Sequence, residues 1–144
     1  MTILAGWREF ADFPAWKLRR VRVKLDTGAR SAVIGVQHFE LLQTPAGEQV
    51  ELHIAPYRRR PEHVVVVRVP VVGFKMVKSS DGTLTRRPVI EVKMRLGPVT
   101  KRIQATIADR SRMLVAVLLG RTALAPEFTV DPSRKYVLTK KTKK

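Results

Sequence analysis

The stretch Leu18 to Ala29, LRRVRVKLDTGA, decides how this chain is read. Val21, Val23 and Leu25 fall on one face, and Arg20, Arg22 and Lys24 on the other. That period of two is the pattern of a half-buried strand. At its end stands Asp26-Thr27-Gly28-Ala29. Asp26 supplies a carboxyl. Gly28 allows a tight turn and can aim its N–H at that carboxylate. Thr27 carries a hydroxyl able to bond across to a neighbouring loop and join two copies. Ala29 is small and has no side-chain donor.

A peptide bond is hydrolysed by water when one carboxylate takes the water's proton while another acid protonates the carbonyl oxygen. Two neighbouring Asp residues do this by sharing one proton, because like charges so close do not both ionise. The chain holds one such turn; Asp81-Gly82, Asp109-Arg110 and Asp131-Pro132 do not repeat it. A catalytic pair therefore requires two subunits, with Asp26 beside its symmetry mate in a homodimer.

Two further segments fit this chemistry. Leu118-Leu119-Gly120-Arg121 resembles the apolar-apolar-Gly segment that lies beside the Asp turn in aspartic proteases, which implies a short strand under the Asp26 turn with Gly120 permitting close backbone approach. Between the two lies a long hairpin, predicted as Arg68–Ser80 and Thr83–Leu96 around Ser79-Ser80-Asp81-Gly82, the Asp-Gly pair suiting a two-residue type I′ turn. Such a hairpin can serve as a flap over an extended peptide.

The rest of the pattern is also mostly strand. Predicted strands cover Gly6 to Phe13 with Trp7 inward, Ala32–Val36, Phe39–Leu42, Val50–Ile54, a region from His63 to Phe74, Val99–Ile107, Met113–Leu119, Phe128–Val130 and Tyr136–Leu138. Arg121 to Ala125 is one helical turn before Pro126. The expected fold is all-β: a small closed barrel in residues 1–139, with a flap hairpin, at most one short helix, and a basic disordered tail at 140–144.

These segments resemble the bacterial and archaeal retropepsin-like aspartic proteases labelled "ATP-dependent zinc protease", some of them associated with glutamate ligases. The resemblance rests on Gly6-Trp7-Arg8-Glu9, Lys24 to Ser31, Arg87-Pro88-Val89-Ile90-Glu91, Leu118 to Leu124, and Phe128 to Tyr136. It implies a dimeric retropepsin-like barrel with Asp26, Thr27 and Gly28 at the catalytic turn. Ala29, Leu118, Leu119, Gly120 and Arg121 would support that turn. Arg87-Pro88 would belong to the flap's return strand. Retroviral relatives place an Asp where Arg30 stands, so Arg121 is expected to turn to Glu127 or Asp131 if buried.

The label's zinc and ATP find no residues. There is no cysteine and no His-Glu-x-x-His, His38, His53 and His63 are scattered, and no Gly-x-x-x-x-Gly-Lys-Ser/Thr occurs. No metal and no cofactor is expected. Cytoplasmic residence is expected, without a signal peptide or membrane span.

Charge bears on partners. The chain has 28 Lys and Arg against 12 Asp and Glu, a net of +16. The surface attracts polyanions. For a peptidase that favours acidic, glutamate-rich substrates. The alternative is a catalytically silent basic barrel that binds RNA, the ribosome or an acidic protein. Its base-stacking aromatics would have to be Trp7, Trp16, Phe39 and Tyr57.

Overall fold

A computed structural model describes residues 2–78, 80–109 and 115–139. Twelve strands account for most of it: β1 Ile3–Gly6, β2 Arg8–Phe13, β3 Leu18–Leu25, β4 Ala32–Val36, β5 His38–Thr44, β6 Gly47–Ile54, β7 Val65–Pro70, β8 Gly73–Lys78, β9 Leu84–Leu96, β10 Val99–Asp109, β11 Val117–Leu119 and β12 Phe128–Asp131. A 3-10 turn covers Pro14–Trp16, and the four-residue helix α1 is Arg121–Leu124. The all-β reading holds, with one short α-helix among the described residues.

The main sheet has the order β10-β4-β11-β3-β2-β9-β8, and β10 also pairs β9. Six strands thus close into a ring, with β8 added outside β9. Alternation builds the interior. Leu18, Val21, Val23 and Leu25 of β3 are buried, as are Ile90, Val92, Met94 and Leu96 of β9. β4 and β10 run side by side, and Ile34 and Ile107, register partners, are almost fully buried. Each such side chain contributes about 1.5–3 kcal/mol.

Two smaller sheets flank the ring. β5, β6 and β7 form one; β1 and β12 pair in parallel as the other. Among the described residues no helix is long and apolar enough to cross a membrane.

Several segments differ from expectation. The first predicted strand is two, broken at Trp7, because the Trp7 N–H bonds the Arg134 carbonyl and Leu25 donates to the Trp7 carbonyl. Trp7 is half-buried rather than inward, with Arg8 and Lys135 over its ring. Glu9 takes the interior position instead, fully buried. The region from His63 to Phe74 is cut at Pro70: residues before it pair with β6 and those from Gly73 pair with β9. Tyr136–Leu138 is not a strand. The amides of Val137, Leu138 and Thr139 converge on the Glu9 carboxylate at 2.8–3.0 Å, so a side chain, not a neighbouring strand, satisfies them. The predicted strand at Met113–Leu119 is regular only over Val117–Leu119. Residues 113 and 114, Ser79 and the tail at 140–144 lie outside the described residues.

Candidate active site

Residues 26–31 join β3 to β4, and β11 lies between those two strands. It runs parallel to β3, with Leu119 beside Leu25, and antiparallel to β4, with Leu118 beside Val33. The connecting loop must therefore pass over the end of β11. Asp26 N–H donates to the Leu119 carbonyl at 2.8 Å, and the amides of Arg121 and Thr122 donate to the carbonyls of Ala29 and Arg30, both at 2.9 Å. Gly120 sits where the backbones are closest. A Cβ there would lie 2.6 Å from the Ser31 carbonyl oxygen. Only glycine fits.

Asp26 is half-buried, and its Oδ1 accepts the Gly28 N–H at 2.9 Å. Gly28 is not among the glycines with positive φ. Its glycine character serves contact rather than handedness, since a Cβ would stand 3.2 Å from that same Oδ1. The Arg121 guanidinium donates to the Thr27 carbonyl at 3.0 Å. Arg121 is exposed and takes neither expected acid. Glu127 pairs with Lys101 at 2.8 Å and Asp131 with Arg134 at 2.8 Å. Arg121 instead closes the loop from outside, where water solvates its charge.

β8 and β9 form the hairpin, with Lys75 opposite Arg87 and Phe74 opposite Pro88. Its outgoing strand starts at Gly73, not Arg68. Lys78 pairs with Leu84, so the tip is a five-residue loop and not a two-residue turn. Asp81 shapes it from within by accepting the Thr83 N–H at 2.9 Å, and Gly82 takes φ +86°. Ser80, Asp81 and Gly82 are exposed.

Lys75 ties the hairpin to the Asp26 loop: its Nζ donates to Ser31 Oγ at 3.2 Å. Between them opens a cleft of about 510 Å³ whose walls include Arg30, Ser31, Lys75, Arg102 and Thr122. Among the described residues three cations and no carboxylate line it. Neither Lys75 nor Arg102 stands out in sequence. Lys75 is one lysine on an alternating strand, and only the hairpin's fold brings it to Ser31.

The histidines lie elsewhere. His38 and His53 face each other across β5 and β6 with ring centroids 5.2 Å apart, and His63 meets Tyr57. Glu51 accepts from His53 at 3.0 Å and from Arg68 at 2.9 Å; these bonds, His53 first, hold its carboxyl below the usual range. Among the described residues no group of three or more His, Asp or Glu is placed to hold a metal.

Residues 4–141 match the family described as retropepsin-like aspartic endopeptidase RimB. A protein of Desulfotalea psychrophila named "Probable alpha-L-glutamate ligase" is 27% identical over 94% of this chain. One of the same name from Shewanella halifaxensis is 26% identical over 94%. The chain spans about 30% of the length of these curated relatives. The crystal structure of a Legionella pneumophila protein of unknown function (DUF785) superposes with a TM-score of 0.78 at 24% identity, covering 96% of this chain and 100% of that one. That likeness is one of fold.

Proposed function

The chain belongs to the RimB-like family of retropepsin-like aspartic endopeptidases, and from that premise we propose that it cleaves peptides with Asp26 as one half of a catalytic pair. The observation that carries this reading is the fixed carboxylate. Asp26 is anchored through its own amide on Leu119 and oriented through Oδ1 by Gly28. A carboxyl held by backbone atoms loses no entropy finding its place when substrate binds.

The second half of the pair is Asp26 of another copy. The two carboxyls share one proton and hold a water between them. The ionised one takes a proton from that water as its oxygen attacks the scissile carbonyl carbon, and the protonated one gives its proton to the carbonyl oxygen. The resulting diol collapses when a carboxyl returns a proton to the leaving amine. Thr27, Gly28 and Ala29 shape the turn, and Leu118, Leu119, Gly120 and Arg121 support it. The β8–β9 hairpin covers an extended substrate, with Ser80, Asp81 and Gly82 at its tip and Arg87-Pro88 on its return strand. Backbone pairing along such a flap is strand addition.

The substrate in this reading is an acidic, glutamate-rich peptide. Arg30, Lys75 and Arg102 line the cleft with positive charge. The named relatives carry the matching stretch in longer chains called glutamate ligases, which supports glutamate as the residue met there.

The test is cleavage of a glutamate-rich peptide, followed by mass spectrometry, with the native chain and with Asp26→Asn. The variant should lose activity by at least about a thousandfold while keeping its fold, as expected when an acid–base group is removed. Native specific activity should fall on dilution below the dimer's dissociation constant. Full activity in Asp26→Asn would remove Asp26 from the mechanism.

A further inference from the structure

A second surface, lined by other residues than the cleft beside Ser31, has the composition of a nucleic-acid site. Three hollows adjoin along the outer side of β2 and the start of β3. The first, about 180 Å³, is walled by Phe10, Arg20, Arg22, Tyr57, Arg58 and Arg59. The second, about 230 Å³, shares Phe10 and Arg20 and adds Asp12, Arg95 and Thr139. The third, about 560 Å³, shares Asp12 and Arg95 and adds Lys17 and Arg19. Shared walls make them one groove. Among the described residues six arginines and one lysine line it against one acid, Asp12, which accepts the Arg20 N–H at 2.8 Å. None of these residues lines the cleft beside Ser31. From Arg22, the groove residue nearest Asp26 along β3, the chain advances four residues to Asp26, about 13 Å of strand.

We propose that this groove binds single-stranded RNA, through arginine contacts to phosphates and stacking on a layered guanidinium–aromatic wall. Two observations favour RNA over an acidic peptide. The cations are almost all arginine, whose planar fork grips phosphate bidentately and stacks on bases. The wall is layered: Arg20 lies 4.2 Å over the Phe10 ring, and Phe10 stacks on Tyr136 at 4.9 Å.

Backbone conformation agrees. Lys17 and Arg20 adopt positive φ, 58° and 53°. Non-glycine residues seldom do so, and strain of this kind concentrates at functional sites. Of the aromatics expected from sequence, Tyr57 is used and Trp16 and Phe39 are not. Trp16 is buried against Phe13 and Phe39 packs on the core, whereas Phe10 and Tyr57 wall the groove.

The test is fluorescence anisotropy of a labelled ten-nucleotide oligouridylate, titrated at several salt concentrations. All proteins carry Asp26→Asn, so that binding is read apart from cleavage. Arg22→Ala/Arg58→Ala/Arg59→Ala should make the slope of log K against log salt shallower by about 2, at roughly 0.7 per lost phosphate contact. Arg58→Ala/Arg59→Ala alone should give about 1.4 and keeps the half-buried Arg22 should the triple variant unfold. Arg68→Ala/Lys78→Ala/Arg86→Ala removes the same charge elsewhere and should leave the slope unchanged. Equal effects of the two triple variants, or displacement of the RNA by a glutamate decapeptide at equal concentration, would overturn the proposal.

Discussion

The Asp26 amide donates to the Leu119 carbonyl at 2.8 Å, so the candidate acid hangs directly on the end of β11. β11 is held in turn between β3 and β4, the two strands the acid's own loop connects. A displacement of β11 by a fraction of an ångström therefore moves the carboxylate. The site is as rigid as the sheet beneath it.

Gly120→Ala tests that dependence. A methyl at this position meets Ser31 backbone atoms at 2.6–2.7 Å, and backbone does not step aside as a flexible side chain does. Overpacking of this kind costs about 1–3 kcal/mol, and this contact belongs at the upper end. Urea denaturation should show that loss, and peptidase activity should fall in the protein that still folds. Gly73→Ala is the control. Nothing lies within 4 Å of its Cβ, so its stability should stay within about 0.5 kcal/mol of native.

Glu9→Gln should be among the most damaging single-atom changes in the chain. The Glu9 carboxylate is fully buried and accepts from the amides of Gly6, Val137, Leu138 and Thr139 and from the Thr139 hydroxyl. An amide group replaces one acceptor oxygen with a donor, setting N–H against N–H. A buried donor left unsatisfied costs about 1–3 kcal/mol, more when the lost acceptor was charged. Equilibrium denaturation should show at least that loss. Limited proteolysis should cut near residues 136–139 first, since those amides have lost their anchor.

Glu9 also marks where the sequence stops being readable. Alternation exposed β3, β9 and much of β10, because one face of each meets the core and the other meets water. The Asp26 turn and the Leu118-Leu119-Gly120 segment were legible as two parts of one device through their joint resemblance to the aspartic-protease turn and its supporting segment, and the Asp26–Leu119 bond joins them. A buried glutamate in an alternating strand reads as an outward residue. Its five donors come from the turn at Gly6 and from residues more than 120 positions away, which no local pattern encodes. The same holds for Lys75 and Ser31, joined only after the hairpin folds back. The Asp81-Gly82 tip was misread for a local reason: the Asp81 side chain caps its own loop, which lengthens the tip to five residues.

Lys75→Met tests the link between hairpin and loop. The Lys75–Ser31 contact is exposed, so its loss should change stability by less than about 1 kcal/mol. Its cleft position should matter more. If acidic peptides bind there, KM for a glutamate-rich peptide should rise by up to about tenfold, which is 1.4 kcal/mol. KM for a neutral peptide of equal length should change less. Equal rises for both would mean that Lys75 positions the hairpin and does not select charge. Ser31→Ala separates the two roles, because it breaks the link and leaves the cation.

Asp131 gives a pH dependence with a defined sign. Its carboxylate accepts from Ser133 Oγ at 2.6 Å, from the Ser133 amide at 2.9 Å and from Arg134 Nε at 2.8 Å. These bonds, the Ser133 hydroxyl first, pull its pKa from 3.8 to about 2. The folded state thus favours the ionised form. The contribution is complete above the ordinary value near 3.8, declines as pH falls, and is gone below about 2. The turn matters because it presents the Arg134 carbonyl to the Trp7 amide at 2.9 Å, and Trp7 in turn accepts from Leu25, the residue before Asp26. Asp131→Asn should therefore melt below the native protein by a constant margin from pH 5 to 7. Between about pH 4 and pH 2 that margin should shrink. Glu51 and Glu127, also held below the usual range, lose their contributions on acidification in both proteins and cancel in the difference. A margin that grew on acidification would mean that the turn is held by something other than the ionised carboxylate.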